Sequence, residues 1–342
     1  MIYDRETTVT NRLNSPGRRR ALGGLGVAAL AAGTGGLTYA QSDYPNRPIR
    51  IIVPFSPGAI NDVLARTLAE RLTPVLKQAV IVENRPGGNT TIGARAVATA
   101  EPDGHTLLLI SAAHAIGAAL TPHALPYDAV RDFSYVSSVA RGPFLLIVNK
   151  DVSASSVEEF IELAKQRPGF YTFASAGNGS SAHLLGEMLN AMAGIRLLHV
   201  PYKGTTPALN DVSAGQVHCT FSTLSGASAA LKSGRVRALG VTSARRAMAL
   251  PEIPAIAEAG YPDYDLAGWW GVLGPANLPA SAVKVLNRAV NDVLAQPSLR
   301  ERLSSDALEP HGSTPEALRS HLEKEIEKYK WVIKQADIKA DT

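Results

Sequence analysis

Residues 49–55 form an apolar stretch interrupted only by Arg50, and the segment behind them changes period: across residues 62–76, Val63, Leu64, Leu68, Leu72, Val75 and Leu76 recur at three- and four-residue spacing. A short apolar run followed by such a stripe reads as a strand and then a helix. The alternation continues. A second strand is predicted over 79–83, closed by the loop Asn84-Arg85-Pro86-Gly87-Gly88; a short helix over 94–98, a Pro102-Asp103-Gly104 turn and a strand over 106–110 follow. The pattern restarts with a strand over 144–148, a helix over 156–166, a strand over 171–174 and a helix over 181–193. Further strands are expected over 197–200, 217–221 and 236–241, with helices over 207–213 and 227–231. A strand begins at Gly268, and the remainder reads as helical over 281–294 and 314–335, with Thr314 as cap and Pro315 in the first turn. Uniformly apolar strands separated by helices predict an α/β protein whose parallel sheets are covered on both faces.

A chain of 342 residues is longer than one hydrophobic core usually serves, so two lobes are expected. The last helix has a one-sided apolar face of Leu318, Leu322, Ile326, Tyr329, Val332 and Ile333, which needs a surface to cover. The C-terminal part is therefore expected to return to the first lobe. On that reading residues 41–142 and 268–342 make lobe 1, and residues 143–267 make lobe 2, an insertion joined by two crossings.

The first forty residues stand apart. Arg18, Arg19 and Arg20 precede an apolar run of Ala, Gly, Leu and Val, and Thr38-Tyr39-Ala40 places small residues where a signal peptidase reads, so residues 1–40 are expected to be a signal peptide cut before Gln41. The arginine cluster leaves both Sec and twin-arginine export open. No cysteine lies near the cut, which argues against a lipid tether, and the expected location is the periplasm. Removing the segment changes the charge picture. It holds five arginines against Asp4 and Glu6, so the formal +4 of the full chain becomes 29 basic against 28 acidic side chains. A near-neutral protein offers no general attraction to nucleic acid or an anionic membrane. Cys219 is the only cysteine, lies in a strand-like alternation and reads as a small buried apolar residue.

In open α/β sheets ligands bind at the carboxyl ends of strands, where the next helices point their N-termini. Two such loops are rich in donors. After the first strand, Pro54-Phe55-Ser56-Pro57-Gly58-Ala59-Ile60-Asn61-Asp62 leads into a helix, with Gly58 permitting close backbone approach; the rival reading is a plain turn capped by Asn61 or Asp62. After the strand at 171–174, Ser175-Ala176-Gly177-Asn178-Gly179-Ser180-Ser181 leads into another helix and suits a carboxylate; its glycines fit neither a P-loop nor a dinucleotide fingerprint. Tyr202, in His199-Val200-Pro201-Tyr202-Lys203-Gly204, and Thr223, in Ser222-Thr223-Leu224-Ser225, are further candidates. An enzyme is the opposing class. The Gly-x-Ser-x-Gly elbow and His-Glu-x-x-His are both absent, so no catalytic residue, metal site or cofactor is assigned; a secreted serine hydrolase built on Ser180 and His183 is the alternative.

Taken in order, Tyr44-Pro45-Asn46-Arg47-Pro48-Ile49-Arg50, Val53-Pro54-Phe55 with Gly58 and Asp62, Val82-Glu83-Asn84-Arg85-Pro86-Gly87, Pro102-Asp103-Gly104, Ser175 to His183, His199 to Gly204 and Pro251-Glu252-Ile253-Pro254 resemble the Bug proteins, the extracytoplasmic solute receptors of the tripartite tricarboxylate transporter family. The resemblance covers the whole chain beyond the export segment. It implies a two-lobed periplasmic-binding-protein fold of the Venus-flytrap type, each lobe a sheet flanked by helices, and a non-catalytic receptor without cofactor. It implies a small carboxylate ligand gripped between Ser56, Gly58, Ala59, Asn61 and Asp62 on one side and Ser175, Ala176, Gly177, Asn178, Gly179, Ser180 and Ser181 on the other. Membrane permease subunits or a sensor kinase are the implied partners of what is expected to be a monomer. The variable end of the ligand is assigned to Ser111 to His114 and Thr223 to Ser225. One departure stands out: the family's first loop has paired glycines, and Ala59 replaces the second.

Overall fold

The computed structural model describes residues 44–338, so the export segment and its cleavage position lie outside the described residues. The chain runs through β1 (Ile49–Val53), α1 (Ile60–Leu76), β2 (Val80–Asn84), α2 (Thr91–Ala98), β3 (Thr106–Ser111), α3 (Ala112–Leu120) and β4 (Phe133–Gly142). Then come β5 (Leu145–Asn149), α4 (Val157–Gln166), β6 (Thr172–Ser175), α5 (Ser181–Ala193), β7 (Leu198–Pro201), α6 (Thr205–Ser213), β8 (Cys219–Ser222), α7 (Leu224–Lys232) and β9 (Val236–Val241). The last part is β10 (Gly268–Pro275), α8 (Ala280–Leu294), α9 (Pro297–Ser304), β11 (Glu309–Pro310) and α10 (Pro315–Gln335).

Two sheets result, in the orders β11-β4-β10-β3-β1-β2 and β7-β6-β8-β5-β9, each flanked by helices. The expectation of purely parallel sheets is corrected: both are mixed. β1 is parallel to β2 and β3, and β6 to β7 and β8, as βα alternation requires. β10, however, is antiparallel to β3 and β4, and β5 is antiparallel to β8 and β9. The reason is connectivity. Only Pro143 and Phe144 separate β4 from β5, so the chain passes from one sheet to the other without the helical crossover that a parallel pairing needs.

The helices form where their apolar stripes meet these sheets. Leu64, Leu68, Leu72 and Leu76 of α1 are buried in one cluster with Ile49, Ile51 and Val53 of β1, and each such leucine contributes about 2 kcal/mol relative to exposure. Val75, counted in the stripe from sequence, instead points outward at 42 % exposure. α10 packs against α3 and β4, and also against α5 beside the second sheet. Leu318, Leu322, Ile326, Tyr329 and Val332 accordingly join a cluster that includes Ile110 from β3 and Leu184 and Leu185 from α5. The carboxyl ends of β1 and β6 each lead, through a short loop, to the start of a helix longer than two turns.

Candidate functional site

The first loop is shaped by a buried carboxylate. Asp62, in the first turn of α1, accepts from the Gly58 N–H at 2.9 Å and from Arg66 Nε at 3.1 Å, while Asn84 Nδ2 donates to its other oxygen at 2.9 Å and to the Phe55 carbonyl at 3.1 Å. Burial opposes ionisation of Asp62, but the hydrogen bonds from Arg66, Gly58 and Asn84 outweigh it and hold the carboxyl below its usual range. Asp62 therefore ties the loop to α1 and β2. The first-turn N–H groups of Ile60 and Asn61 have no helix carbonyl within reach and sit at the positive end of the helix dipole. Beside them, Asn61 is 5 % exposed and its Nδ2 has no hydrogen-bond partner among the described residues.

Positions 58 and 59 of this loop are not equally demanding. Gly58 has φ 82, a left-handed value that an L side chain resists, although no atom crowds its Cβ position. Ala59 has φ −68, open to any residue, so the methyl group there costs no backbone strain. Ser56 lies exposed on the outer part of the loop.

The second loop is bonded internally. The Ser175 hydroxyl donates to the Gly177 carbonyl at 3.0 Å and lies 2.6 Å from His199 Nε2, while the Gly177 N–H donates back to Ser175 Oγ at 3.1 Å. The Gly179 N–H donates to His183 Nδ1 at 3.1 Å, and Ser180 caps α5 by accepting the His183 backbone N–H at 3.4 Å. Three of the expected backbone donors, those of Gly177, Gly179 and Ser180, the last bonded to the Gly177 carbonyl at 3.1 Å, thus hold the loop itself, leaving the Ser181 and Ala182 N–H groups at the helix start. Beneath the loop the His183 and His199 rings stack at 3.9 Å, and Phe173 lies on His199 at 4.9 Å.

The two loops share a wall. A Cβ on Gly179 would come within 2.9 Å of Leu120 at the end of α3 and 3.1 Å of Asn89 ahead of α2, and a Cβ on Gly93 within α2 would come within 2.8 Å of Pro54 in the first loop. The start of α2 therefore touches the first loop on one side and the second on the other. Neither 54–62 nor 175–181 carries a lysine or arginine.

The remaining candidates are placed differently. The Tyr202 hydroxyl donates to Asp211 Oδ2 at 2.7 Å, its N–H donates to the Ser175 carbonyl at 3.0 Å, and burial with the Asp211 contact pushes the phenol up to about 12. Tyr202 so fastens the end of β7 to α6. Thr223 caps α7 by accepting the Gly226 N–H at 3.2 Å. His114 lies inside an aromatic cluster with Tyr127 and Phe133, bonded to the Ala129 carbonyl at 3.0 Å, and burial lowers its pKa. Sequence reading missed Asn89 and Leu120 as neighbours of the second loop. Ser222, in the hydroxyl-bearing segment Ser222 to Ser225 singled out from sequence, ends β8 at 1 % exposure with no hydrogen-bond partner for its Oγ among the described residues.

The hydrolase geometry is not assembled at Ser180: its Oγ takes the His183 backbone N–H, and the His183 imidazole takes Gly179. The Ser175–His199 contact lies inside the protein, with Ser175 1 % exposed and closed onto Gly177. Among the described residues no group of three potential metal ligands occurs, and no helix is long and apolar enough to cross a membrane.

Residues 64–338 match the profile of the "Tripartite tricarboxylate transporter family receptor". That match begins inside α1, beyond the first loop. Protein BugT of Bordetella pertussis is 34 % identical over 94 % of this chain and 98 % of its own length. Among solved structures, Rpa4515 of R. palustris with adipate is 35 % identical, with a TM-score of 0.81 over 86 % of this chain and 99 % of that one. MatC (Rpa3494) of Rhodopseudomonas palustris with bound malate is 30 % identical, with a TM-score of 0.76 over 85 % of this chain and all of that one. With two helix-flanked sheets and a match across most of its length, the chain belongs to the tripartite tricarboxylate transporter family of receptors.

Proposed function

We propose that the protein is a periplasmic receptor that holds a small carboxylated organic solute where the first-strand loop and the Gly/Ser loop meet, and presents it to a tripartite tricarboxylate-type permease. The observation that carries this reading is the pair of helix starts, α1 and α5, each led by a donor-rich loop and sharing the wall formed by the start of α2. Free N–H groups at a helix start favour an anion, and the unpartnered Asn61 amide beside one of them is a further donor. Relatives solved with adipate and with malate support a carboxylate as the class of ligand.

On this reading residues 41–142 with 268–342 and residues 143–267 are two lobes that close on the solute, and the closed form is what a permease, or a sensor kinase, recognises in a monomeric protein. The protein is not an enzyme: no side chain is required beyond those that bind. Export delivers the chain cut before Gln41, which N-terminal sequencing of periplasmic material checks. The binding test is calorimetry against adipate, malate and a panel of amino acids and aromatic acids. Stoichiometric heat with the acid recovered unchanged is expected, and at a hundredfold excess over the dissociation constant the ligand adds about 2.7 kcal/mol of apparent stability. Turnover of an ester or amide, or silence across the panel, sinks the reading.

A further inference from the structure

The geometry beneath the Gly/Ser loop assigns a role to a residue outside the loop. His183 sits in the first turn of α5 and is 6 % exposed. Its Nδ1 receives the N–H of Gly179, at φ 70 the left-handed residue that brings the loop down onto α5. An imidazole nitrogen that accepts a hydrogen bond carries no proton, so the ring is neutral with its proton on Nε2. That proton faces Glu187, whose Oε1 lies 3.9 Å from Nε2. The stack agrees with the same state: His183 and His199 lie 3.9 Å apart and 12° from parallel, a contact that two imidazolium rings would turn into repulsion.

We infer that His183 is the positioning residue of the Gly/Ser loop: its bare Nδ1 holds the Gly179 N–H at neutral pH, and a second proton on the ring removes that acceptor and releases the loop. The inference rests on the reading above that residues 175–181 help hold the solute. The sign follows directly. The tether is present while the ring is neutral and is lost as pH falls.

Other titrating groups surround α5, and they bear on the test. Glu187 lies one turn along the same helix, and burial raises its pKa, so it takes a proton as pH falls too. β7 supplies His199, β6 the Ser175 hydroxyl and β8 the buried Cys219 thiol. α3 carries His114, turned to the Ala129 carbonyl, and α10 carries Tyr329 and Glu325, the latter engaged with Trp269 and Lys328. A variant at His183 alone separates its contribution from these.

The test uses the purified protein and two near-isosteric substitutions. His183→Asn places an amide oxygen where Nδ1 lies, keeping the acceptor and removing the titration; His183→Gln places its amide near the Nε2 position and loses the acceptor. Imidazole nitrogen NMR is expected to show His183 as the Nε2–H tautomer. The exchange protection factor of the Gly179 amide is expected to fall about fivefold or more as the ring takes its second proton. In His183→Asn the protection stays high and the step disappears; in His183→Gln protection is low at every pH. With adipate as probe, affinity follows the same three patterns. An Nδ1–H tautomer, an unchanged step in His183→Asn, or wild-type protection and adipate affinity in His183→Gln would each overturn the assignment. If the wild type takes up neither adipate nor malate while the Gly179 amide behaves as stated, the tether stands and the solute-site reading is the one that fails.

Discussion

The indole N–H of Trp269, at the start of β10, donates to Glu325 Oε2 of α10 at 3.0 Å, with both residues buried. Lys328 Nζ reaches the other carboxylate oxygen at 3.2 Å. The pair fastens α10 to the strand by which the chain re-enters the first sheet. Replacing Glu325 with Ala leaves the buried indole without an acceptor and is expected to cost about 1–3 kcal/mol. Glu325→Gln, which keeps an acceptor, should recover most of the loss. Urea unfolding of the two variants is the measurement, and equal midpoints would remove this contact from the account.

Gly186 makes the opposite case, where a gain in helix propensity is overridden by packing. A Cβ there would clash with the Phe173 ring at Cε2. Alanine improves an interior helix position by about 1 kcal/mol, whereas forcing a methyl group into a closed core costs about 1–3 kcal/mol. Gly186→Ala is therefore expected to be destabilising, with Phe173→Leu partly restoring it by making room. Strict additivity of the two in a double-mutant cycle would mean that the two sites do not touch in solution.

Asp62 should make stability depend on acid pH. Its folded pKa is depressed, so its contribution is fully present above the unfolded value of about 3.9 and is lost as pH falls through the lower folded value. The stability gap between wild type and Asp62→Asn should accordingly be flat from neutral pH to about 5 and shrink below about 4. A gap that closes near pH 6 would point to another group.

Cys219 is fully buried on β8, its thiol 3.6 Å from the Thr172 carbonyl, and burial pushes its pKa well above the usual thiol range. A thiolate is the reactive form, so a disulfide reagent should label the native protein only at the rate of unfolding. Fast stoichiometric labelling without denaturant would contradict that burial.

Much of this architecture is legible in the chain because apolar runs and helical stripes are local signals. α5 and β9 fall where periodicity places them. β4 escaped because two serines interrupt its apolar residues: Ser137 and Ser138 are buried with bonds to Ser313, some 175 residues away, which no local window contains. α3 was read only as the loop residues Ser111 to His114, since an Ala-rich run has little amphipathic contrast. Strand direction at β5 and β10 depended on how the crossings turn, not on composition. Glycine and serine density singled out both candidate loops, yet the partners of individual donors did not follow from it. That Gly179 answers to His183, Tyr202 to Asp211 and Gly58 to Asp62 required coordinates.

The two loops proposed to hold the solute have no lysine or arginine in them. Attraction between full charges weakens as the Debye length shrinks from about 30 Å at 0.01 M salt to about 3 Å at 1 M, whereas hydrogen bonds from a closed peptide surface are largely indifferent to it. A solute gripped by such neutral donors should be captured almost equally well in dilute and in saline surroundings, its affinity drifting by no more than about threefold across that range. For the periplasmic receptor proposed above, where ionic strength follows the external medium, that makes recognition a matter of shape and hydrogen bonding that the weather outside does not reset.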